Sequence, residues 1–580
     1  MKIKHITRAI LLALVSASSA YAVVPTVKLK IVAINDFHGQ LESPGSLRNL
    51  PTDASATVPV GGVDWIAGYI ADVKSKNPNT VVVSAGDLIG ATPLVSALFH
   101  DEGTIETMNR AGLDIDAVGN HEFDEGKTEL LRMQNGGCHP TDTNSCQGAA
   151  VGTPVPFEGA KFQFLAANVV DTKNKTTVLP AYTIKQYEGV KVAFIGLTLK
   201  ETPTIVTPSG VAGLRFTDEV RAVNLLVPKL RAQGVRTIVV LIHQGGVVPE
   251  SASVATMNNC VGNLDGSPIK TIVNGLSDAV GAVISGHTHN TYNCRLTTKN
   301  GVHSIPVTSA NSQGRIYTEI DLTLYKNTGA IKSAQASNVV VDQRNSAIIP
   351  DAGIKQIVTN YKALVTPISS RVIGSISAAL TRTATAAGEN SMGDVIADAQ
   401  LAATKEPKFG NAQIAFMNPG GVRADLSYVS SSVGEGDGNV TFGEAFTVQP
   451  FGNSLVTMSL TGAQIEQMLE QQFMGCANNQ PFNRVLLPSA GFSYTWSVSG
   501  FACDKIDPNS IMLNGAVIDP AASYRVTVNS FLASGGDLFT VFNQGTNRLG
   551  GAQDSDALEA YFKAKSPIAP VSLTRIQQLP

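Results

Sequence analysis

The sequence is poor in cysteine, carries little net charge and has no long apolar run after its first residues. Its six cysteines form no C-x-x-C pair, which argues against zinc-ribbon and thioredoxin-type sites. A net charge of −3 and a pI near 6.3 give no electrostatic reason to expect a nucleic-acid polymer or an anionic membrane as a partner. No segment beyond residue 22 approaches the roughly 20 apolar residues that a membrane-spanning helix needs.

The N-terminal segment predicts export. Basic residues within the first eight positions precede the apolar run 9–15, and Ala20-Tyr21-Ala22 supplies a small-x-small cleavage site. This pattern is typical of a secretory signal peptide over residues 1–22, with an uncleaved anchor as the alternative. The C-terminal residues 575–580 lack the hydrophobic tail of a lipid-anchor signal. We therefore expect a secreted protein, specifically a periplasmic one, without a stable membrane anchor.

Export also changes what is expected of the cysteines. In an oxidising compartment they are expected to pair, although six cysteines allow 15 connectivities. The simplest assignment that keeps every pair inside one domain joins Cys138 to Cys146, Cys260 to Cys294, and Cys476 to Cys503.

The chain is too long for a single hydrophobic core, which indicates two or three domains. In the first half, short apolar runs alternate with helical segments, and each run ends in a polar turn. Such strands, apolar on both faces, predict sheet layers covered by helices. We therefore expect an α/β sandwich, with strands in the runs 29–34, 80–83, 115–118, 162–166, 192–195, 237–242 and 282–284.

A helix is expected between the two halves. Apolar residues recur at helical spacing from Ile354 to Val365, and Pro367 is expected to end the helix near residue 366. These features predict a first domain over 23–345, a linker helix within 346–371 and a second domain over 372–580. The second domain begins a new set of strands, at 413–417, 454–460 and 524–529.

Side chains that can bind metal ions stand at the carboxyl ends of five of the expected strands in the first half. Ligands of open α/β folds gather at the carboxyl ends of strands, so the polar side chains there are expected to converge. Five of the nine histidines stand at these ends, whereas His100, His139 and His303 are interpreted as ordinary surface or satisfied histidines. The set at the strand ends is Asp36, His38, Asp87, Asn120, His121, Asp124, His243, His287 and His289.

This set predicts two metal ions. Imidazole and carboxylate ligands suit zinc, manganese, iron or similar divalent ions. Seven candidate ligands exceed the needs of one ion, whereas two ions that share one carboxylate use them all. Such a pair can stabilise both the attacking and the leaving oxygen of an in-line displacement at phosphorus. Asp87, which stands alone after its strand, is the natural bridge.

The same motifs resemble those of calcineurin-like metallophosphoesterases, and the sequence Asn120-His121-Glu122-Phe123-Asp124 resembles the 5'-nucleotidase branch. The resemblance implies a four-layer α/β/β/α sandwich. It implies one ion held by Asp36, His38, Asp87 and His289, and a second held by Asp87, Asn120, His243 and His287. It further implies that His121 contacts the phosphoryl group, that Asp124 orients His121, and that Glu122 and Phe123 have supporting and packing roles.

Three stretches of the second half resemble the C-terminal domain of 5'-nucleotidases, a smaller α/β nucleotide-binding domain. They are residues 418–423, 450–453 and 529–537. The resemblance implies a substrate-binding set of Asn418, Arg423, Phe451, Asn453, Phe531 and Asp537, in which the two phenylalanines sandwich the nucleobase. Several relatives carry a further phosphate-binding arginine where this chain has Ala386, so either Arg382 reaches the site instead or the phosphate rests on Arg423 and the metals alone.

Together these expectations describe a secreted dimetal 5'-nucleotidase with a small-molecule nucleotide substrate. The alternatives with the same chemistry are a UDP-sugar or dinucleotide pyrophosphatase and a 2',3'-cyclic nucleotide phosphodiesterase with 3'-nucleotidase activity. A non-enzymatic alternative is an exported nucleotide-binding protein. The sequence leaves the preferred nucleotide, the native metals and the oligomeric state open.

Overall fold

The computed structural model describes residues 24–48, 57–204, 206, 210–249, 253–301, 304–430, 434–478, 480 and 483–580. The expected signal peptide therefore lies outside the described residues. The first half contains two six-stranded sheets. One contains, in spatial order, Ile331–Val340, Ile316–Tyr325, Thr26–Ile34, Thr80–Ser84, Ile115–Ala117 and Gln163–Leu165, and the other contains Thr291–Thr297, Ser304–Ala310, Val280–Ser285, Thr237–His243, Val190–Thr198 and Tyr182–Tyr187.

The two sheets pack face to face and are covered on their outer faces by helices. Leu29 and Val83 of the first sheet share a buried core with Phe194 and Leu241 of the second. Because the inner strands are buried on both faces, their sequences are apolar throughout. Helices Val63–Lys76, Glu102–Ala111 and Gly126–Asn135 cover the first sheet, and Glu219–Ala232 and Pro268–Gly275 cover the second. The predicted four-layer α/β/β/α sandwich is confirmed.

Parallel pairing brings the carboxyl ends of the central strands to one edge. Thr80–Ser84 lies parallel to both Thr26–Ile34 and Ile115–Ala117. In the second sheet, Thr237–His243 lies parallel to Val190–Thr198 and Val280–Ser285. Smaller strands and helices complete this half, at Ser46–Leu47, Val58–Pro59, Leu94–Ala97, Gly148–Val151, Val169–Asp171 and Leu214–Phe216.

A single long helix, Ala352–Ser369, connects the two halves. The Asp351 side chain caps its first turn by accepting from the Ile354 N–H at 2.8 Å. The expectation that Pro367 ends the helix is wrong by a few residues, because Pro367 lies inside it. Proline has no backbone N–H to donate, so one carbonyl a turn earlier loses its partner, in addition to the last four carbonyls, which have no intrahelical partner in any helix.

The second half is built on a five-stranded sheet. Its spatial order is Leu487–Pro488, Ile414–Met417, Ser523–Asn529, Ser454–Thr461 and Thr546–Gln553. A second sheet contains Phe492–Phe501, Asp504–Ile506, Met512–Leu513, Ala516–Val517 and Ile576–Leu579, and Val372–Ser375 pairs with Asn439–Thr441. The helices are Ser391–Thr404, Phe442–Val448, Gly462–Glu470, Ser530–Ala533 and Asp554–Lys565.

All three expected disulfides are present: Cys138–Cys146, Cys260–Cys294 and Cys476–Cys503. Each joins cysteines within one half of the chain. Among the described residues, no helix combines the length and apolar character needed to cross a membrane.

Candidate active site

The predicted ligands meet at the shared edge of the two sheets. Nε2 of His38 lies 3.1 Å from Nε2 of His289, and Nε2 of His243 lies 2.9 Å from Oδ2 of Asp87. These side chains come from four separate segments of the chain. Two imidazole nitrogens this close, with carboxylates beside them, form a cluster of electron-pair donors of the kind that binds a cation.

Two groups in this cluster fall within the two predicted ligand sets, and a third group of His38, Asp87 and His121 connects them. The first contains Asp36, His38 and His289, and the second contains Asp87, His243 and His287, each with donor atoms within 4.8 Å of one another. Asn120 joins the second group, because its Oδ1 lies 3.1 Å from Nδ1 of His287. Asp87 lies between the groups, with Oδ2 3.8 Å from His38 and 2.9 Å from His243.

Hydrogen bonds behind the cluster fix the tautomers of two histidines. Nδ1 of His38 lies 2.8 Å from the Gly90 carbonyl, and Nδ1 of His243 lies 2.8 Å from the Ala85 carbonyl. A carbonyl only accepts, so each Nδ1 carries a proton, and the neutral form of each ring offers its Nε2 lone pair to the cluster. Among the described residues, the buried Nε2 of His243 makes no well-aligned hydrogen bond, although it lies 2.9 Å from Oδ2 of Asp87. These donors fit divalent cations.

Burial keeps three of the imidazoles neutral, which is the form that binds a metal. It lowers the pKa of His38 and His289 to about 4 and that of His287 to about 3. His243 behaves differently. Burial lowers its pKa as well, but the adjacent Asp87 carboxylate outweighs burial and raises the pKa to about 9.

Five of the ligands occupy the left-handed region of backbone conformation. Their φ angles are 49° at Asp36, His38 and Asp87, 75° at His287 and 56° at His289. Residues other than glycine are uncommon there, and each such residue costs about 1–3 kcal/mol. The strain concentrates at the points where the strand ends turn their side chains into the cluster.

Asn35 supports the cluster and was missed in the sequence. Its amide donates to Oδ2 of Asp36 at 2.6 Å, and its own oxygen accepts from the Ala310 N–H at 2.8 Å. The backbone N–H of His287 also donates to Asp36, at 2.8 Å. The signal in the sequence was the position of Asn35, directly before the first ligand.

Glu122 and Phe123 have the supporting roles expected of them. The two carboxylate oxygens of Glu122 accept from the backbone N–H groups of Asp87, Leu88, Ile89 and Gly119. Burial raises the pKa of Glu122, as do neighbouring carboxylates, whereas four N–H donors favour its charged form. The Phe123 ring is fully buried in the hydrophobic core of the first half.

His121 and Asp124 form a pair at the margin of the cluster. Nδ1 of His121 lies 2.6 Å from Oδ2 of Asp124. The backbone N–H of His121 donates to Oδ1 of Asp87 at 3.0 Å. Burial lowers the pKa of His121, but Asp124 and Asp87 outweigh it and raise the pKa to about 10. The geometry thus holds an imidazolium in a fixed direction beside the ligands.

The expected nucleoside-binding residues gather at one end of the five-stranded sheet. Phe451 and Phe531 are 40% and 44% exposed, which is unusual for phenylalanines in a folded domain. Nδ2 of Asn418 donates to Oδ2 of Asp537 at 2.9 Å. The Arg423 guanidinium lies over the Phe451 ring, 5.5 Å from its centroid.

Arg382 and Asn453 lie at the edges of this group. Arg382 pairs with Asp425 at 2.9 Å and donates to the Arg423 carbonyl at 2.9 Å. It therefore braces the segment that carries Arg423, and its side chain remains 48% exposed. Oδ1 of Asn453 accepts from Ser530 at 3.1 Å.

One cleft beside these groups is lined by residues of both halves. Its lining includes His121 and Asp124 from the first half and Phe446, Gly452 and Gln553 from the second. The halves touch beside it, because a Cβ on Gly452 would lie 3.3 Å from the Cα of Ala91. Gly452 directly follows Phe451 in the chain.

The histidines outside the cluster are accounted for differently. His100 is bonded to Glu125 at 2.7 Å and Asp142 at 3.0 Å, and the His139 ring stacks on it at 4.4 Å. Both are satisfied histidines, as expected. His303 lies outside the described residues.

A further group, His100, Glu125 and Glu129, also has donor atoms close enough to hold a metal ion. Nε of Arg132 donates to both oxygens of Glu129, at 3.0 and 2.9 Å. The guanidinium neutralises that carboxylate, so we interpret this group as an ion-pair network.

Comparison with known proteins places the two halves in described families. Residues 29–291 match the model of the calcineurin-like phosphoesterases, so fold and site together define a metallophosphoesterase. Residues 372–544 match the model of the 5'-nucleotidase C-terminal domain. The chain therefore belongs to the 5'-nucleotidase family.

Relatives with known names support this membership. The chain is 32% identical over 557 residues to the endonuclease YhcR of Bacillus subtilis (strain 168), covering 95% of this chain but only 41% of that protein. It is 26% identical to the NAD 5'-nucleotidase of Haemophilus influenzae, covering 89% of this chain and 86% of that one. Its fold resembles the crystal structure of the 5'-nucleotidase precursor from Thermus thermophilus, with a TM-score of 0.59, 24% identity and coverage of 95% and 99%.

Proposed function

We propose that this protein hydrolyses nucleoside 5'-monophosphates to nucleoside and phosphate with the help of two divalent metal ions. The observation that carries the proposal is the cleft shared by the two halves. The His121–Asp124 pair lines one side, and Gly452, next to the exposed Phe451, lines the other. A nucleotide whose phosphate lies at the metal ligands has its nucleoside directed toward the second half.

The metal ligands in this proposal are those predicted from the sequence. When bound there, two divalent ions such as zinc or manganese would supply Lewis acidity and would lower the pKa of a water molecule. The chain itself contributes His121, whose charged imidazole stabilises negative charge on the phosphoryl oxygens or protonates the leaving oxygen. Asp124 keeps that imidazole charged and aimed. The ligands are Asp36, His38, Asp87, Asn120, His243, His287 and His289.

The second half is proposed to hold the nucleoside. Stacking of a base on the exposed Phe451 and Phe531 rings contributes about 1–3 kcal/mol per base and tolerates any base. Asp537 accepts from ribose hydroxyls, and Asn418 donates to the base. The residues proposed for the phosphate and the rim of the site are Arg423, Arg382 and Asn453.

The test is a comparison of substrates and metals. AMP, UDP-glucose, NAD and a 2',3'-cyclic nucleotide are assayed with manganese, with zinc and with excess chelator. We expect AMP to be the best substrate and the chelator to abolish its turnover. AMP turnover that persists after the metals are confirmed to be gone contradicts the proposal. Faster turnover of UDP-glucose or NAD favours the pyrophosphatase alternative instead, and binding of AMP without any turnover favours an exported binding protein.

The name of the Bacillus relative adds a second activity to the comparison. That relative is called an endonuclease, whereas the near-neutral charge of this chain argues against a polymer substrate. Single-stranded and double-stranded DNA are therefore included in the assay. Cleavage of DNA into shorter fragments at a rate comparable to AMP hydrolysis would overturn our expectation that no nucleic-acid polymer is bound.

We further propose that the protein acts in the periplasm. The signal-like N-terminal sequence and the three disulfides support this, since disulfides persist in oxidising compartments. Release of the activity by osmotic shock, with all six cysteines unreactive to alkylation until reduced, is the expected result. Activity retained in the cytosolic fraction contradicts it.

A further inference from the structure

A buried asparagine behind the proposed nucleoside site has a contact pattern that gives it a definite role. Asn529 is the last residue of the central strand Ser523–Asn529 and is 1% exposed. It touches neither of the exposed phenylalanine rings by a hydrogen bond. Its side chain instead accepts from the start of a helix and donates to Asn418, and its Nδ2 also lies 3.6 Å from Sδ of Met417.

The orientation of the Asn529 amide follows from one unambiguous donor. Its Oδ1 lies 2.9 Å from the backbone N of Leu532 in the first turn of helix Ser530–Ala533. A backbone N–H only donates, so the atom facing it must be the oxygen. The NH2 group of Asn529 therefore points the other way, toward Oδ1 of Asn418 at 2.9 Å.

The same reasoning fixes the next amide in the chain of contacts. Because Asn418 must present its oxygen to Asn529, its NH2 group faces Oδ2 of Asp537, 2.9 Å away. The other oxygen of Asp537 lies 3.6 Å from Arg484. Asn418 is 3% exposed, so water does not compete for these contacts. The backbone N–H of Leu532 thus fixes the orientation of the Asn529 amide. That amide in turn fixes the orientation of the Asn418 amide, which donates to Asp537.

We propose that Asn529 is a positioning residue that sets the polarity of nucleoside recognition. It forces Asn418 to act as a donor and leaves Asp537 as the acceptor beside it. The pair therefore selects a ligand that offers hydroxyl donors next to a hydrogen-bond acceptor, such as a ribose bearing a base with an acceptor on its edge. The inference rests on the proposed nucleotide function and deepens it.

The substitution Asn529→Asp tests this with little change in shape. Its carboxylate still accepts from the Leu532 N–H and so keeps the cap, but it has no N–H to donate to Asn418. The Asn418 amide then has carboxylates on both sides and only one NH2 group, so its oxygen faces a carboxylate in either orientation. Lost hydrogen bonds to charged groups are expected to raise the Kd for adenosine and the KM for AMP about 10- to 100-fold. The kcat for AMP and the kinetics with p-nitrophenyl phosphate are expected to change less than about twofold.

Asn390→Asp is the matched control. Asn390 is also buried, at 4% exposure, and caps helix Ser391–Thr404 by accepting from the Gly393 N–H at 2.8 Å. It has the same cap but no hydrogen bond to Asn418 or Asp537 among the described residues. Adenosine binding that falls equally in both variants assigns Asn529 a general structural role and overturns the proposal.

A double-mutant cycle with Asp537→Asn covers the case in which Asn529→Asp folds poorly. With an amide at 537, Asn418 can turn its NH2 group toward the carboxylate at 529 and its oxygen toward the NH2 group at 537. Every donor in this row of side chains then faces an acceptor. Once Asp537→Asn is present, Asn529→Asp is expected to cost less than about threefold in adenosine affinity and to recover thermal stability. If the two substitutions change adenosine affinity independently, so that their fold-changes multiply in the double variant, the proposed coupling of Asn529 to Asp537 is contradicted.

Failure of this inference is distinguishable from failure of the proposed function. Wild-type turnover of AMP combined with an unchanged adenosine Kd in Asn529→Asp overturns the relay alone. Wild-type protein that neither binds adenosine nor hydrolyses AMP overturns both.

Discussion

Replacing Glu122 with glutamine tests how the metal-binding loops are held in place. One oxygen of Glu122 accepts from Asp87 and Gly119, and the other accepts from Leu88 and Ile89. Glutamine has a single acceptor oxygen, so in either orientation its NH2 group faces two backbone N–H groups that have lost their acceptor. Glu122 is 3% exposed, and water therefore cannot replace the missing oxygen.

The magnitude follows from these two unpaired donors. Each buried N–H without a partner costs about 1–3 kcal/mol, so the free energy of unfolding of the first half is expected to fall by about 2–6 kcal/mol. The Asp87 backbone is one of the affected donors in one orientation, and its neighbour Leu88 is affected in the other. Metal affinity is therefore expected to fall as well, by roughly 10- to 100-fold, as it does when residues behind metal ligands are removed.

Denaturant unfolding and competition for manganese with a chelator measure the two effects. Glu158→Gln provides the control, because Glu158 forms an ion pair with Lys161 at the surface and its side chain is 39% exposed. That change is expected to alter stability by less than about 0.5 kcal/mol. The reasoning is refuted if Glu122→Gln unfolds at the same denaturant concentration as the control and holds manganese equally well.

Three further predictions concern other parts of the chain. Although burial lowers the pKa of His100, its two carboxylate partners raise it to about 9, above the roughly 6.5 of an unfolded chain. After allowance for partial exposure, His100→Gln should lose about 1–2 kcal/mol at pH 6 and converge with wild type as pH rises through 9; a constant difference contradicts this. Gly536→Ala places a Cβ 2.7 Å from the Phe531 ring, so KM should rise for AMP but not for p-nitrophenyl phosphate, and equal effects would exclude a stacking role. Asp124→Asn leaves His121 without its partner and should reduce kcat about 100-fold with metal content unchanged; loss of bound metal would instead make Asp124 a structural support.

The ligand cluster could be predicted from the sequence because parallel strands impose a simple geometry. Asp36 and Asp87 follow strands that lie side by side, and His243 follows a strand of the facing sheet. An apolar run that ends in such residues marks both the strand and the edge to which it delivers them. The disulfides could also be predicted from the sequence, because the two cysteines of each pair lie close together within one half of the chain.

The supporting contacts could not be predicted in the same way. The four N–H groups bound by Glu122 belong to two loops that meet only after both strands are placed, and no periodicity records which backbone groups face inward. The helix that passes through Pro367 is a local example of the same limit. Pro367 lies in the last turn, so it costs the helix a single hydrogen bond, and a residue that usually ends a helix is tolerated.

The strained ligand positions are held by bonds between the loops themselves. The N–H groups of Asp36, His38 and Gly39 donate to the carbonyls of Gly86, Asp87 and Leu88 at 3.0, 2.9 and 3.0 Å. Two loops that each carry left-handed residues therefore brace one another, and Glu122 ties the second loop to the segment that carries His121. Because these bonds involve backbone groups and one carboxylate rather than the ligand atoms, they fix the direction of the ligand side chains independently of any cation. The hydrogen bonds between the loops thus offset the cost of the strained backbone. The free energy of cation binding is not needed to hold the loops and remains available for binding the substrate phosphate.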